Sequence, residues 1–308
     1  MKKIIIAEDL GFCMGVKKAI SMIEETVLSD KKVTILKQIV HNDAIVEKFK
    51  HEGVGQSATI DAINGGTVII PAHGASPDIF KRAKELGLNV VNATCPLVIR
   101  IHKIIKKLSE NGYRIIHFGD YAHDETIGIV GHAPTRVTVF PNLEALRKLG
   151  NFEGKLALTS QTTARVSDFV EIAKEAKIKF PQIEIFNTIC NATNQRQAAV
   201  TELAPGVDLM LVVGSESSAN SKRLEQIAKA LCRRVYLIDS ASDIEANWFT
   251  GDGQSIEIIG LSAGASTPDF LIDGAIERLR TIAGMRVEVI YPRKKAAENR
   301  LFLEENFV

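Results

Sequence analysis

Three cysteines share one local context. Cys13, Cys95 and Cys190 each follow a short β-branched run and precede a helical pattern, in GFCMGV, ATCPLV and ICNAT. The same 28 residues separate Cys13 from His41, Cys95 from His123 and Cys190 from Ser218. AHGASPD (72–78) returns as SAGASTPD (262–269) with one added Thr. Repetition of this kind means one supersecondary unit used three times. Three such units about a pseudo-threefold axis would aim three thiolates at one centre and leave a coordination position open. Zinc held by three Cys and a water fits that description. So does an iron–sulfur cluster with one iron free of Cys. Soft sulfur ligands suit both, and the spacing does not choose between them. Cys232, in AKALCRRVYLID, sits at a helix end before a strand and reads as structural.

Around the thiols stand neutral hydrogen-bonding groups. His41, His73 and His123 each follow a strand-like run directly. Thr162, Thr163, Ser218, Asn220 and Ser266 follow strand-like runs, and several of them sit where a helical pattern begins. A single hydroxyl there is an ordinary helix cap. Several together, with free helix N–H groups, describe an anion pocket suited to a diphosphate. Few lysines or arginines stand at these positions, so the pocket is expected to use neutral donors. Glu125 follows His123 by two residues, and in extended geometry Asp124 between them would point elsewhere. A carboxyl group beside a metal centre and an anion is a candidate proton donor, and burial raises its pKa. His51, His102, His117 and His132 lack the strand-end placement; His132, in GHAPT, is the candidate for a supporting position.

What positions these residues is a chain of strand-to-helix switches. KKIIIA, VTILKQIV, TVIIPA and NVVNAT each lead into a helical pattern, over 16–27, 44–50, 77–86 and 97–110. YRIIHFG, KLALTS, IEIFNT, DLMLVVGS, RVYLIDS and IEIIGLS continue the alternation. Strands alternating with helices of this length indicate parallel sheets covered by helices. In such sheets ligands bind beyond the carboxyl ends of the strands, where the reactive residues lie. The 28-residue spacing divides the chain into α/β domains at 1–94, 95–189 and 190–284. A C-terminal strand and charged tail at 285–308 carries Leu301, Phe302, Leu303 and Phe307 as possible anchors.

Composition excludes several classes. The 308 residues carry 38 basic and 37 acidic side chains, for a net charge of +1, which argues against a nucleic-acid or membrane-surface binder. No apolar run approaches the ~18 residues that cross a bilayer. The opening MKKIIIAEDLG is too short in its apolar part for a signal-peptide core and reads as a first strand. The expected compartment is the cytoplasm, where thiols stay reduced. No GxxxxGK[ST] motif or dinucleotide-binding glycine spacing is present, so a nucleotide site is not indicated.

These motifs resemble one family. GFCMGV, IVHND, AHGAS, ATCPLV, HDE, SQTT, ICNATNQRQ, VVGSESSANSKRL and SAGASTPD, spread over about 4–270, are similar to those of the LytB family of 4-hydroxy-3-methylbut-2-enyl diphosphate reductases. The resemblance implies three similar α/β domains in a trefoil around a central [4Fe–4S] cluster. Cys13, Cys95 and Cys190 would hold it, with one iron not ligated by Cys that meets the substrate hydroxyl. It implies a diphosphate bound by His41, His73, His123, Ser218, Asn220 and Ser266, with Thr162 and Thr163 contacting substrate and joining a proton relay. Glu125 matches the proton donor, and a ferredoxin or flavodoxin would supply electrons. Two departures stand out. Ala219 lies where the family often has a second Ser, leaving its backbone N–H as the donor, and Ser160 replaces a common Thr. An iron–sulfur hydro-lyase or condensing enzyme of quinolinate-synthase type is the alternative, but its substrate needs carboxylate clamps that this sequence lacks. A zinc-held binding module is the other, and Glu125 among the ligands speaks against it.

Overall fold

The computed structural model describes residues 2–249, 256–283 and 287–290. In chain order the elements begin with β1 (Lys2–Ile6), α1 (Met14–Ser29), β2 (Val33–Leu36), α2 (Asp43–His51) and β3 (Gly55–Ser57). Next come β4 (Thr67–Ile70), α3 (Pro77–Glu85), β5 (Asn89–Asn92), α4 (Pro96–Glu110), β6 (Arg114–Phe118) and α5 (Asp124–Gly131). These are followed by β7 (Val137–Phe140), α6 (Leu143–Lys148), β8 (Leu156–Ser160), α7 (Val166–Lys179), β9 (Glu184–Ile185) and α8 (Asn191–Leu203). The last are β10 (Leu209–Val213), α9 (Ala219–Lys229), β11 (Val235–Ile238), β12 (Ile258–Ala263), α10 (Asp269–Ala283) and β13 (Val287–Ile290). The expected tail beyond 290, with its Leu and Phe anchors, lies outside the described residues.

The strands form three parallel sheets, ordered β3-β2-β4-β5, β7-β6-β8-β9 and β11-β10-β12-β1-β13. Each begins with the same second-first-third order. The next place is filled in every case by the strand that runs into a cysteine: β5 before Cys95, β9 before Cys190 and β1 before Cys13. The repeat is therefore complete only when the first strand of the chain joins the last sheet, where β1 pairs with β12. The 28-residue spacing is the length of one cysteine, helix, strand and turn.

Two compact units are present. One takes the described residues of 1–11, 194–216 and 221–308, with the third sheet; the other takes 12–193 and 217–220, with the first two. In the second unit the central strands are buried on both faces: β4 throughout, and β8 throughout. Such strands need helices on each side, which is why they read as continuous apolar runs. Val68, Ile69 and Ile70 are fully buried, and each such side chain contributes about 1.5–3 kcal/mol.

Local chemistry starts the helices. Proline occupies the first turn of α3 and α4, where its missing N–H costs nothing. Asn42 caps α2 by accepting from Ile45 N–H at 3.2 Å. His123 caps α5, its Nδ1 accepting from Glu125 N–H at 3.2 Å. Cys13 and Cys95 are the N-cap residues of α1 and α4. The helices start two residues or fewer before the apolar patterns because these caps precede them.

Candidate active site

The second unit gathers the three strand-end histidines. The ring centroids of His41 and His73 lie 5.7 Å apart, and those of His41 and His123 lie 5.3 Å apart. Burial lowers the pKa of all three below the usual imidazole value, His123 to about 4. They are neutral at pH 7, and their tautomers follow from their hydrogen bonds. His123 Nδ1 accepts a backbone N–H, so its proton sits on Nε2, ready to donate. His73 is the reverse. Its Nδ1–H donates to the Gly74 carbonyl at 3.1 Å, leaving Nε2 bare, buried and without a hydrogen-bond partner.

Two charged residues complete this pocket, contrary to the expectation of neutral donors alone. Asp124 Oδ2 lies 3.6 Å from His73 Nε2, and Asp124 Oδ1 is ion-paired with Lys37. Burial pushes Asp124 up, but the Lys37 hydrogen bond and the neighbouring His73 outweigh it and hold its carboxyl below the usual range. Lys37 is the one non-glycine residue of positive φ among the described residues, at 61°. That conformation costs roughly 1–2 kcal/mol, and here it turns the side chain toward Asp124. The expectation that Asp124 points elsewhere is corrected: residue 124 begins a helix, and its carboxylate faces the histidines.

Glu125 points from the same helical turn into a separate, buried position, 3% exposed. Thr162 N–H donates to Glu125 Oε1 at 2.7 Å, and Thr162 Oγ1 donates to Oε2 at 2.5 Å. Burial raises the Glu125 pKa, and the two Thr162 hydrogen bonds only partly oppose it. The Thr162 carbonyl in turn accepts Cys190 N–H at 3.1 Å. Thr163 does not join Glu125; its Oγ1 accepts from Gln161 Nε2 at 2.8 Å.

The remaining expected residues divide. Ser218, Ala219 and Asn220 group with the histidine unit, whereas Ser266 belongs to the other. Asn220 is 4% exposed, and both its amide atoms are buried without a hydrogen-bond partner. A buried amide costs free energy in that state, so it fits a position that a polar ligand completes. Cys232 is buried, with Sγ directed at the carbonyls of Val207 and Arg234.

Residues 4–280 match the family model of the LytB protein. The chain belongs to the LytB family. A LytB-family relative from Wolbachia pipientis, a 4-hydroxy-3-methylbut-2-enyl diphosphate reductase, is 39% identical over 296 residues, 94% of each chain. The corresponding reductase of Aquifex aeolicus is 37% identical over 286 residues, 92% of this chain and 97% of its own. The solved E-1-hydroxy-2-methyl-but-2-enyl-4-diphosphate reductase of Plasmodium falciparum superposes with a TM-score of 0.88 at 30% identity, covering 97% of this chain and 94% of that one. A second solved structure is that of (E)-4-hydroxy-3-methyl-but-2-enyl diphosphate reductase, the terminal enzyme of the non-mevalonate pathway. It gives a TM-score of 0.64 at 35% identity, covering 91% of this chain and all of that one. This LytB-family chain is an iron–sulfur oxidoreductase with the family's α/β fold.

The cofactor arrangement expected from the LytB resemblance is corrected. It placed a [4Fe–4S] cluster on Cys13, Cys95 and Cys190, with one iron not ligated by Cys. Among the described residues, the ligand atoms that lie within 4.8 Å of one another belong to His41, His73 and Asp124, and the thiols form no such set. Two thiols do flank Gly15, where a Cβ would lie 2.5 Å from Cys95 Sγ and 3.9 Å from Cys13 Sγ. Burial raises the pKa of Cys95 and Cys190, with the Cys13 and Glu125 charges adding to it and hydrogen bonds to the sulfurs opposing it. The convergent His–His–Asp set has its carboxylate already neutralised by Lys37, so a cation there would have to displace an ammonium group.

Proposed function

We propose that this chain removes the hydroxyl of (E)-4-hydroxy-3-methylbut-2-enyl diphosphate as water, using two electrons and two protons, and releases isopentenyl and dimethylallyl diphosphate. That is the terminal reduction of the methylerythritol phosphate route. The observation that carries the reading is the Glu125–Thr162 pair: a buried carboxyl, its pKa raised by desolvation, beside a pocket of three imidazoles. A carboxyl group whose pKa is raised holds its proton to higher pH, and a proton is what a departing hydroxyl needs, because hydroxide is a poor leaving group and water a good one.

The diphosphate lies against the histidines in this reading. His123 donates Nε2–H to an oxygen. His73 has no proton on its inward nitrogen, so it takes one up as the anion arrives, and the incoming negative charge offsets the desolvation that keeps it neutral. Lys37 compensates Asp124, which would otherwise repel the ligand. Asn220, Ser218 and the Ala219 backbone N–H add neutral donors. Thr162 steadies Glu125 through two hydrogen bonds and sits where a proton can pass between carboxyl and substrate. In this reading the repeat unit at 1–94 contributes His41 and His73, the unit at 95–189 contributes His123, Glu125 and Thr162, and the unit at 190–284 contributes Ser218, Ala219 and Asn220.

The electrons come from a one-electron protein donor of ferredoxin or flavodoxin type. All four cysteines are free, which supports a reducing compartment such as the cytoplasm. Among the described residues no helix is long and apolar enough to cross a membrane. The test is anaerobic turnover of the allylic diphosphate with a reduced viologen. Oxidation that depends on the substrate supports the reading, and its absence with active electron supply refutes it.

A further inference from the structure

Two histidines outside the pocket pack against the loop that carries His73. His102, on α4, and His132, which ends α5, stack with ring centroids 4.0 Å apart and planes 28° apart. Burial lowers both below the usual imidazole pKa, His102 to about 3, so neither carries charge at neutral pH. Two uncharged rings can stack without repulsion.

Each ring touches the residues just after His73. Gly74 adopts a φ of +79°, and a Cβ there would lie 2.8 Å from His102 Cε1. The backbone of Ala75 is hydrogen-bonded by His132. The rest of α5 closes on the same segment. A Cβ at Gly131 would lie 2.2 Å from Ser76 Cβ, and one at Gly128 would lie 3.7 Å from Ala75. On the other side Cys95 N–H, at the start of α4, donates to the Ala72 carbonyl at 2.9 Å. The loop is thus gripped from both helices, and α5 is the helix whose first turn carries Asp124 and Glu125.

We propose that His102 and His132 are positioning residues, whose stacked rings hold the Gly74–Ala75 backbone and through it orient the His73 imidazole in the anion pocket. The coupling runs through one hydrogen bond. Gly74 carries the carbonyl that accepts His73 Nδ1–H, so the backbone gripped by the two rings also selects the tautomer of His73. A phenylalanine pair would fill the space, but it offers nothing to the Ala75 backbone. That difference favours an imidazole at position 132 in an otherwise apolar contact.

This inference rests on His73 being a diphosphate ligand, and its test separates the two ideas. Binding of inorganic diphosphate to the purified enzyme is measured by calorimetry. His132→Ala is expected to weaken it about tenfold, whereas His132→Gln, whose amide N–H can still reach the Ala75 backbone, recovers most of the loss. In a His73→Ala background the His132→Ala change should cost nothing further, because its effect passes through His73. A loss of equal size with and without His73, or no loss at all, overturns the proposal. If His73→Ala alone leaves diphosphate binding unchanged, the reading of His73 as a ligand fails. The positioning is then decided by a crystal structure of His132→Ala, in which a displaced His73 ring supports it and an unmoved ring overturns it.

Discussion

Replacing Glu125 with Gln removes one proton and little else. In the wild-type site Oε1 accepts from Thr162 N–H and Oε2 accepts from Thr162 Oγ1. The Gln carbonyl can keep the first bond. Its NH2 group can donate to Oγ1, because a hydroxyl both donates and accepts and can rotate to do so. Both contacts survive, so the thermal midpoint should move little. What disappears is the ionisable group. Loss of a positioned general acid costs about 10²–10⁴ in rate, which corresponds to roughly 3–5 kcal/mol of barrier. We therefore expect kcat to fall by about that factor in the anaerobic viologen assay, with KM for the allylic diphosphate nearly unchanged. The pH profile gives an independent check. Wild-type kcat should fall as pH rises through the raised Glu125 pKa, and the variant should lack that limb. A kcat within about tenfold of wild type, or an alkaline limb that persists in Glu125→Gln, would refute the assignment of the acid.

Three other outcomes follow from the pocket. Lys37→Met leaves the Asp124 carboxylate uncompensated beside the anion, and should weaken inorganic diphosphate binding about tenfold; Lys37→Met/Asp124→Asn should recover much of it, and an unchanged affinity for the single variant counts against the pair. Diphosphate binding should tighten as pH falls, since free His73 is neutral and the bound form needs a proton on Nε2; calorimetry in buffers of differing ionisation enthalpy should show about one more proton taken up by wild type than by His73→Gln, and equal uptake would contradict the tautomer. The buried imidazoles predict acid lability. His102 and His117 have folded pKa values near 3 against an ordinary 6.5, so their stabilisation is complete above pH 6.5 and is lost as pH falls toward 3. The urea midpoint should drop steadily below pH 6.5, and a flat profile down to about pH 4.5 would show that these rings do not stay neutral.

The parts of this protein legible in its sequence are those that recur at short range. The 28-residue spacing exposed the repeated unit because cysteine, helix, strand and turn have nearly invariant lengths, and each histidine at a strand end fell where parallel sheets bind ligands. Pairings across the sequence were not legible. Lys37 and Asp124 are 87 residues apart, and nothing in the composition of IVHND or HDE joins them. Asp124 was also misdirected by reading HDE as extended chain, when His123 caps a helix there. Strand patterns identified β1 but not its partner, since an apolar run does not say which sheet it completes. The cysteines show the same limit: a shared context established repetition, whereas convergence at ligand distance belongs to His41, His73 and Asp124. GHAPT marked His132 as a candidate for a supporting position, but nothing marked His102 or paired the two, because their contact is a stack between two helices.

The most direct measurement is product analysis of single-turnover reduction. Anaerobic enzyme, reduced viologen and (E)-4-hydroxy-3-methylbut-2-enyl diphosphate should give isopentenyl and dimethylallyl diphosphate, with two electrons consumed per molecule of substrate. The same mixture with Glu125→Gln should bind the substrate and form almost no product. Electron consumption without loss of the hydroxyl, or full product formation by the variant, would contradict the assignment of this site.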